Sequence, residues 1–180
     1  MTETRPPFDA VTIWLHCLTL ALVAALFLTA WLHAGAADAT SSRALLQAHR
    51  SLGVTVWSAT VVRLAWRCTG ARLPPFPSHM SALHRAAATL SEYTLYTLLL
   101  VQPLTGMGQT LLRGRAFELF LFHIDPIISP DRAHARLMHE IHETGGLVFL
   151  SIIALHAAAA LVHHFVWRDG VLRSMAPPTL

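Results

Sequence analysis

Four histidines, His16, His49, His142 and His156, lie in or at the edge of long apolar stretches, where an imidazole is costly and is by default a functional-site residue. His142 and His156 are fourteen positions apart. On a helix they therefore share nearly one face, at depths differing by about 21 Å. If the apolar stretches cross a membrane in alternation, His16 and His156 approach the face that bears the termini, and His49 and His142 approach the other. Two imidazoles from facing helices of a bundle are how a haem iron is held without covalent attachment. No C-x-x-C-H string is present, so such haems are b-type. Two ligands per level do not make the four-coordinate site that zinc prefers. A macrocycle also needs room beside its ligand, and Gly53, Gly146 and Ala160 follow His49, His142 and His156 by four positions. His16 is followed at that offset by Leu20, so another helix must open its pocket.

The elements that would carry these rings are apolar runs at about 11–32, 49–66, 86–112 and 143–167, each near the length that spans a bilayer. With 54% hydrophobic and 13% charged residues, the chain reads as an all-α membrane protein. It forms one domain over 1–180, a four-transmembrane-helix bundle holding two b-type haems. The first run follows Asp9 rather than a basic cluster and has no small-residue cleavage pattern, so it is read as a retained helix and not a signal peptide. The segment 33–48 reads as a loop or short surface helix. LPPFPS after the second run cannot continue a helix. Pro103 and Gly106 mark a kink in the third. Residues 113–136 form a longer connection with an apolar island, Ala116 to Ile124. Cys17 and Cys68 form no C-x-x-C pair and read as ordinary small residues.

All thirteen basic residues are arginine, and no stretch interleaves them with aromatics, so a nucleic-acid partner is excluded. Seven (Arg5, Arg63, Arg67, Arg72, Arg85, Arg168 and Arg173) fall on the face with the termini and six on the other. That excess places both termini in the cytoplasm. Of the remaining histidines, His163 lies about 20° off the face of His156 and suits a role other than ligation, while His164 turns about 80° away and His139 about 100°.

The strings W-L-H at His16, A-H-R-S-L-G at His49, E-I-H-E-T at His142 and L-H-A-A-A-A-L-V-H-H around His156, His163 and His164 resemble the bacterial four-helix cytochrome b561 family. V-V-R at Arg63 and the Tyr96 to Pro103 spacing extend the resemblance over essentially the whole chain. It implies a dihaem protein of the bacterial inner membrane, with His16 and His156 on the haem nearer the cytoplasm and His49 and His142 on the one nearer the periplasm. It implies a superoxide oxidase that passes electrons to ubiquinone, with His163 at the quinone end as the catalytic proton route. Relatives carry a lysine in the loop after the second helix and a further histidine in the third helix. This chain offers Arg72 and Glu92 instead. An arginine-rich outer face suits electrostatic steering of a small anion, and Arg43, Arg50, Arg132 and Arg136 are the residues expected to form it. The alternative is that they pair with Asp131, Glu140 and Glu143. Partners expected on this reading are membrane lipid, quinone and superoxide. A second reading is an electron-carrier subunit that docks a redox protein, or a further copy of the chain, through the apolar island. A third is a scaffold or metal transporter without haem.

Overall fold

Asp9 starts the first helix by accepting from the Thr12 amide at 3.0 Å and the Thr12 hydroxyl at 2.7 Å. Those bonds satisfy donors that a helix N-terminus leaves open, and α1 runs from there as Ala10–Ala34. Asp38 caps α2, Ala39–Thr69, and Asp131 caps α4, Arg132–Val162, in the same way. Ser81 caps α3, Ala82–Leu112. The computed structural model describes residues 6–78 and 80–176, so Arg5 lies outside the described residues.

The helices are longer than the apolar runs because the aspartate caps, not the hydrophobic edges, set where they begin. The loop expected at 33–48 shrinks to the turn around Gly35–Asp38. His49 and His142 each stand eleven residues after the capping aspartate of their helix, well inside it rather than at its start. By composition alone, two helices among the described residues are long and apolar enough to cross a membrane, α1 and Arg132–Trp167. α2 and α3 have the length, but polar and charged residues, among them Arg63, Arg67 and Glu92, dilute their apolar character. Large apolar side chains face outward along the bundle, including Trp14, Leu28 and Trp31 of α1 and Leu147 and Leu155 of α4. A surface of this kind suits lipid and not water.

α1 packs along α2, α3 along α4, and the two pairs meet through α2 and α3. α4 makes no comparable backbone packing with α1 or α2, which leaves a seam between the pairs. A core of Val23, Val56, Leu99 and Phe149 fills the middle of the bundle. Phe27 and Phe149 close the seam there, with ring centroids 5.9 Å apart.

The apolar island corrects the all-α expectation. It is a hairpin of β1, Phe117–Leu119, and β2, Phe122–Ile124, paired antiparallel with Glu118 opposite His123. Aromatic and β-branched residues favour this local choice, and Phe120 supplies the positive φ of 53° that the tight turn needs. Gln47 donates to the Phe120 carbonyl at 2.6 Å, and the Phe120 amide donates to Ser51 Oγ at 2.7 Å. These bonds hold the hairpin on α2 beside His49. After α4 the chain makes a π-helical turn, His163–Trp167, and a short α5, Val171–Ser174.

Asp9 does more than cap α1. It also accepts from Trp66 Nε1 at 3.0 Å and the Arg72 amide at 3.1 Å, tying the end of α2 and the following loop to the start of α1. Partial burial raises its carboxyl, but the bonds from Thr12, Arg72 and Trp66 outweigh that and hold it below the usual carboxylate range. A depressed folded pKa gives stability that is complete above the unfolded value, about 4, and is lost as the pH falls through the folded one. Asp9→Ala should therefore cost about 1–2 kcal/mol at neutral pH. In thermal unfolding of the detergent-solubilised protein, the gap to wild type should narrow below about pH 4.

Candidate functional site

On the side of the bundle that carries the hairpin, His49 of α2 and His142 of α4 face each other across the seam. Their ring centroids are 6.2 Å apart and their planes nearly perpendicular, at 85°. His49 Nδ1 donates to the Leu26 carbonyl of α1 at 3.1 Å, and His142 Nδ1 donates to the Gln102 carbonyl of α3 at 3.1 Å. A carbonyl can only accept, so each neutral ring carries its proton on Nδ1 and keeps a bare Nε2. Each carbonyl also takes the hydroxyl of the threonine three residues on, Thr29 to Leu26 at 3.0 Å and Thr105 to Gln102 at 2.8 Å. Those hydroxyl oxygens in turn stand 3.4 and 3.0 Å from the two Nδ1 atoms. One device is thus built twice, on α1 for His49 and on α3 for His142.

This pair fits an iron porphyrin. Two metal–imidazole bonds of about 2.0 Å, with about 1.1 Å from each nitrogen to its ring centre, would put the centroids about 6.2 Å apart. Gly53 and Gly146, half-buried one turn beyond the ligands, would each meet nothing within 4 Å if given a Cβ. Among the described residues no three His, Cys, Asp or Glu side chains gather to hold a bare ion. Two ligands with open space beside them suit a group that brings its own equatorial nitrogens.

Gly106 of α3 makes the approach possible, because a Cβ there would sit 2.9 Å from His142 Cε1. Gly106→Ala should push that ring away and lower the haem content of the purified protein, read as Soret absorbance per chain. Helicity should hold or rise, since alanine is the better helix former by about 1 kcal/mol.

The level on the side of the termini is built differently. Among the described residues His16 and His156 form no ring contact like that of His49 and His142, and neither bonds a backbone carbonyl. Arg63 of α2 stands 3.2 Å from His16 Nδ1 through Nη2 and lies over the Tyr96 ring at 5.1 Å. Its buried Nε has no partner. Arg63 follows His49 by fourteen residues, as His156 follows His142, so α2 and α4 carry matching stripes. Arg67 and Glu92 pair at 2.7 Å and line, with Arg63, Tyr96 and Thr12, a cleft that opens beyond this level. Glu92 is thus ion-paired.

His163 lies beyond His156 in the π-helical turn and is buried. Its Nδ1 donates to Asp169 Oδ2 at 2.5 Å, in a dyad whose side chains are 11% and 4% exposed. Trp167 packs edge-on against the ring at 4.4 Å, and His84 of α3 lies 5.5 Å from Trp167. His164 turns away onto Phe165, and His139 bonds Gln109 and Glu143, so among the described residues neither pairs with another imidazole. Arg72 is exposed, with its backbone held by Asp9.

The four arginines expected to form an anion patch are not equivalent. Arg43 and Arg132 are exposed, and Arg136 pairs with Glu140 at 3.3 Å. Arg50 is instead half-buried beneath the hairpin, 5.6 Å from the Phe117 ring, with an unpartnered Nε. Asp131 is occupied by His134 and Glu143 by His139. The residues missed in the sequence are Thr29, Thr105 and Asp169, and Gly106 is read there only as the mark of a kink. The threonines share a legible signal, a hydroxyl one turn from the level of a ligand on the neighbouring helix.

The family model for prokaryotic cytochrome b561 matches residues 7–178. Cytochrome b561 homolog 1 of Escherichia coli (strain K12) is 30% identical over 177 residues, covering 94% of this chain and 97% of the relative. Cytochrome b561 homolog 2 of the same organism is 27% identical over 128 residues, 71% of this chain and 68% of the relative. The chain is also similar to a probable superoxide oxidase, CybB, of Yersinia pestis, at 25% identity over 173 residues, 94% of this chain and 96% of that one. With its helical bundle, its outward apolar surface and this match over nearly its whole length, the chain belongs to the prokaryotic cytochrome b561 family of membrane-integral, b-type haem electron-transfer proteins.

Proposed function

We propose that the chain is a dihaem oxidoreductase of the bacterial inner membrane that moves electrons from superoxide on the periplasmic side to ubiquinone, with both termini in the cytoplasm. The observation that carries the electron-transfer reading is the His49 and His142 pair, spaced and protonated for axial ligation. His16 and His156 are the residues that would hold the second haem. Bound there, the two groups would supply one-electron carriers at two depths. The protein holds the ligand rings, keeps water out between the levels with Phe27, Phe149 and Val56, and manages charge and protons at each end.

At the hairpin side, Arg43 and Arg132 are exposed cations that attract a small anion, and Arg50 adds charge beneath the hairpin. Two superoxide ions leave as dioxygen, giving one electron each. At the other side a quinone takes those two electrons and two protons. His163, oriented by Asp169, is the proton-delivering residue, and Arg72 marks the adjoining loop. The name of the Yersinia pestis relative supports superoxide as donor.

Stopped-flow mixing of the haem-loaded protein with superoxide tests this reading. The haem absorption should shift to the reduced form during mixing and return when a soluble ubiquinone analogue is added. Haem that stays oxidised with superoxide while dithionite reduces it refutes the activity.

One observation favours the second reading, a carrier subunit that docks a redox protein. Leu121 at the hairpin tip is 96% exposed and Phe122 beside it 67%, and this apolar knob stands at the hairpin-side ligand level. A redox protein that co-purifies with wild type and is lost from Leu121→Asp would select that reading.

A further inference from the structure

We propose that Arg50 binds the carboxylates of the porphyrin held between His49 and His142, and that the hairpin is the strap that keeps Arg50 in place. The assignment rests on the reading of that pair as axial haem ligands and adds to it how the rest of the group is gripped.

Among the described residues, the buried side-chain N–H groups without a partner are Arg50 Nε, Trp57 Nε1 and Arg63 Nε, and all three stand on α2. A buried donor left open is costly, and in a native fold it points to a group that accepts from it. Arg63 already stands against His16. Arg50, Gly53 and Trp57 fall at i, i+3 and i+7 and so share one face of α2. His49 is about 40° from Gly53 on the same arc. The two open donors therefore flank the space beside a ligand ring, where a Cβ on Gly53 would touch nothing within 4 Å.

A haem carries its carboxylates on one edge, and the two donors do not suit that edge equally. Trp57 stands about 10 Å deeper than Arg50, beside the core residue Val56, where an ionised carboxylate is too costly to leave. Arg50 stands at the hairpin end and brings a full charge on a planar fork that matches a carboxylate. Among the described residues no carboxylate of the chain pairs with it. Glu118, on the strand that covers Arg50, bonds His123 at 2.6 Å instead.

The hairpin holds this cation from above. Phe117 is buried with its ring 5.6 Å from the guanidinium, and the bonds from Gln47 and to Ser51 fix the hairpin on either side of Arg50 in sequence. Under that cover the charge is poorly screened, so a pair made there is strong. Arg43 and Arg132 keep the role that faces solvent.

Resonance Raman spectra of the purified ferric holoprotein test the assignment, because the propionate bending mode reports hydrogen bonding to the haem carboxylates themselves. Arg50→Gln should move that mode to lower frequency for the haem with crossed ligand planes, and that haem should pass to added apomyoglobin about tenfold faster. Arg50→Lys, which keeps the charge without the fork, should fall between the two, and it is the variant to read if Arg50→Gln holds no haem at this level. Arg43→Gln should change neither readout. In a His142→Ala background, which keeps only the termini-side haem, Arg50→Gln should leave the mode where it is. Faster haem loss with an unmoved propionate mode would mean that Arg50 supports the pocket by packing or holds another anion, such as a lipid phosphate, and either result overturns the assignment. Wild-type protein that lacks the crossed-plane haem altogether would instead overturn the ligand reading on which the assignment rests.

Discussion

His142→Ala should leave the protein with one haem in place of two, and the lost one should be the site with perpendicular ligand planes. Ferric iron between imidazoles crossed at close to a right angle gives a low-spin EPR signal of unusually large anisotropy, and the planes of His49 and His142 cross at 85°. The variant should lose that signal while the Soret absorbance per chain falls to about half, since on the proposed dihaem reading each pair would hold one of two haems. Superoxide should then no longer reduce the remaining haem, because the entry level is gone. Histidine to alanine also removes a ring that bonds Gln102 and meets Thr105, so the measurement includes helicity. His142→Met, which keeps a possible iron ligand, should recover part of the pigment with a changed spectrum.

Asp169→Asn should slow ubiquinone reduction by about 100-fold while the first step, haem reduction by superoxide, keeps its rate. The carboxylate accepts from His163 Nδ1 and, through Oδ1, from the Val171 amide at 3.1 Å. It thereby fixes one tautomer of His163 and balances the charge when the ring is protonated. An asparagine can still accept from that amide but cannot balance the imidazolium. The loss should appear in the turnover rate rather than in the quinone KM. Asp169→Glu should recover most of the rate. A purely structural Asp169 would lower haem content and the superoxide step as well, which separates the two roles.

Much of the site was legible in the sequence because depth along an apolar helix is fixed by counting. Fourteen residues separate His142 from His156, and the structure places them at opposite ends of one stripe with Phe149 midway. What counting could not give is where helices begin. The capping aspartates Asp38 and Asp131 extend α2 and α4 ten residues ahead of His49 and His142, through stretches too polar to read as membrane spans. The island at Ala116 to Ile124 carried no helical signal, and its hairpin depends on the turn at Phe120 and on bonds to Gln47 and Ser51, both remote in sequence. Asp169 was hidden for a related reason. Six residues after His163, it meets that ring only because a π-helical turn and the left-handed Arg168 fold the chain back. The backbone carbonyls that fix the ligand tautomers leave no trace in residue type at all, except through the threonines that share them.

The most direct measurement is the haem content of the purified chain by the pyridine haemochrome spectrum, set against protein concentration. Imidazole pairs at two levels require two b-type haems per chain. One haem would confine the account to the His49 and His142 pair, and a colourless protein would contradict it altogether.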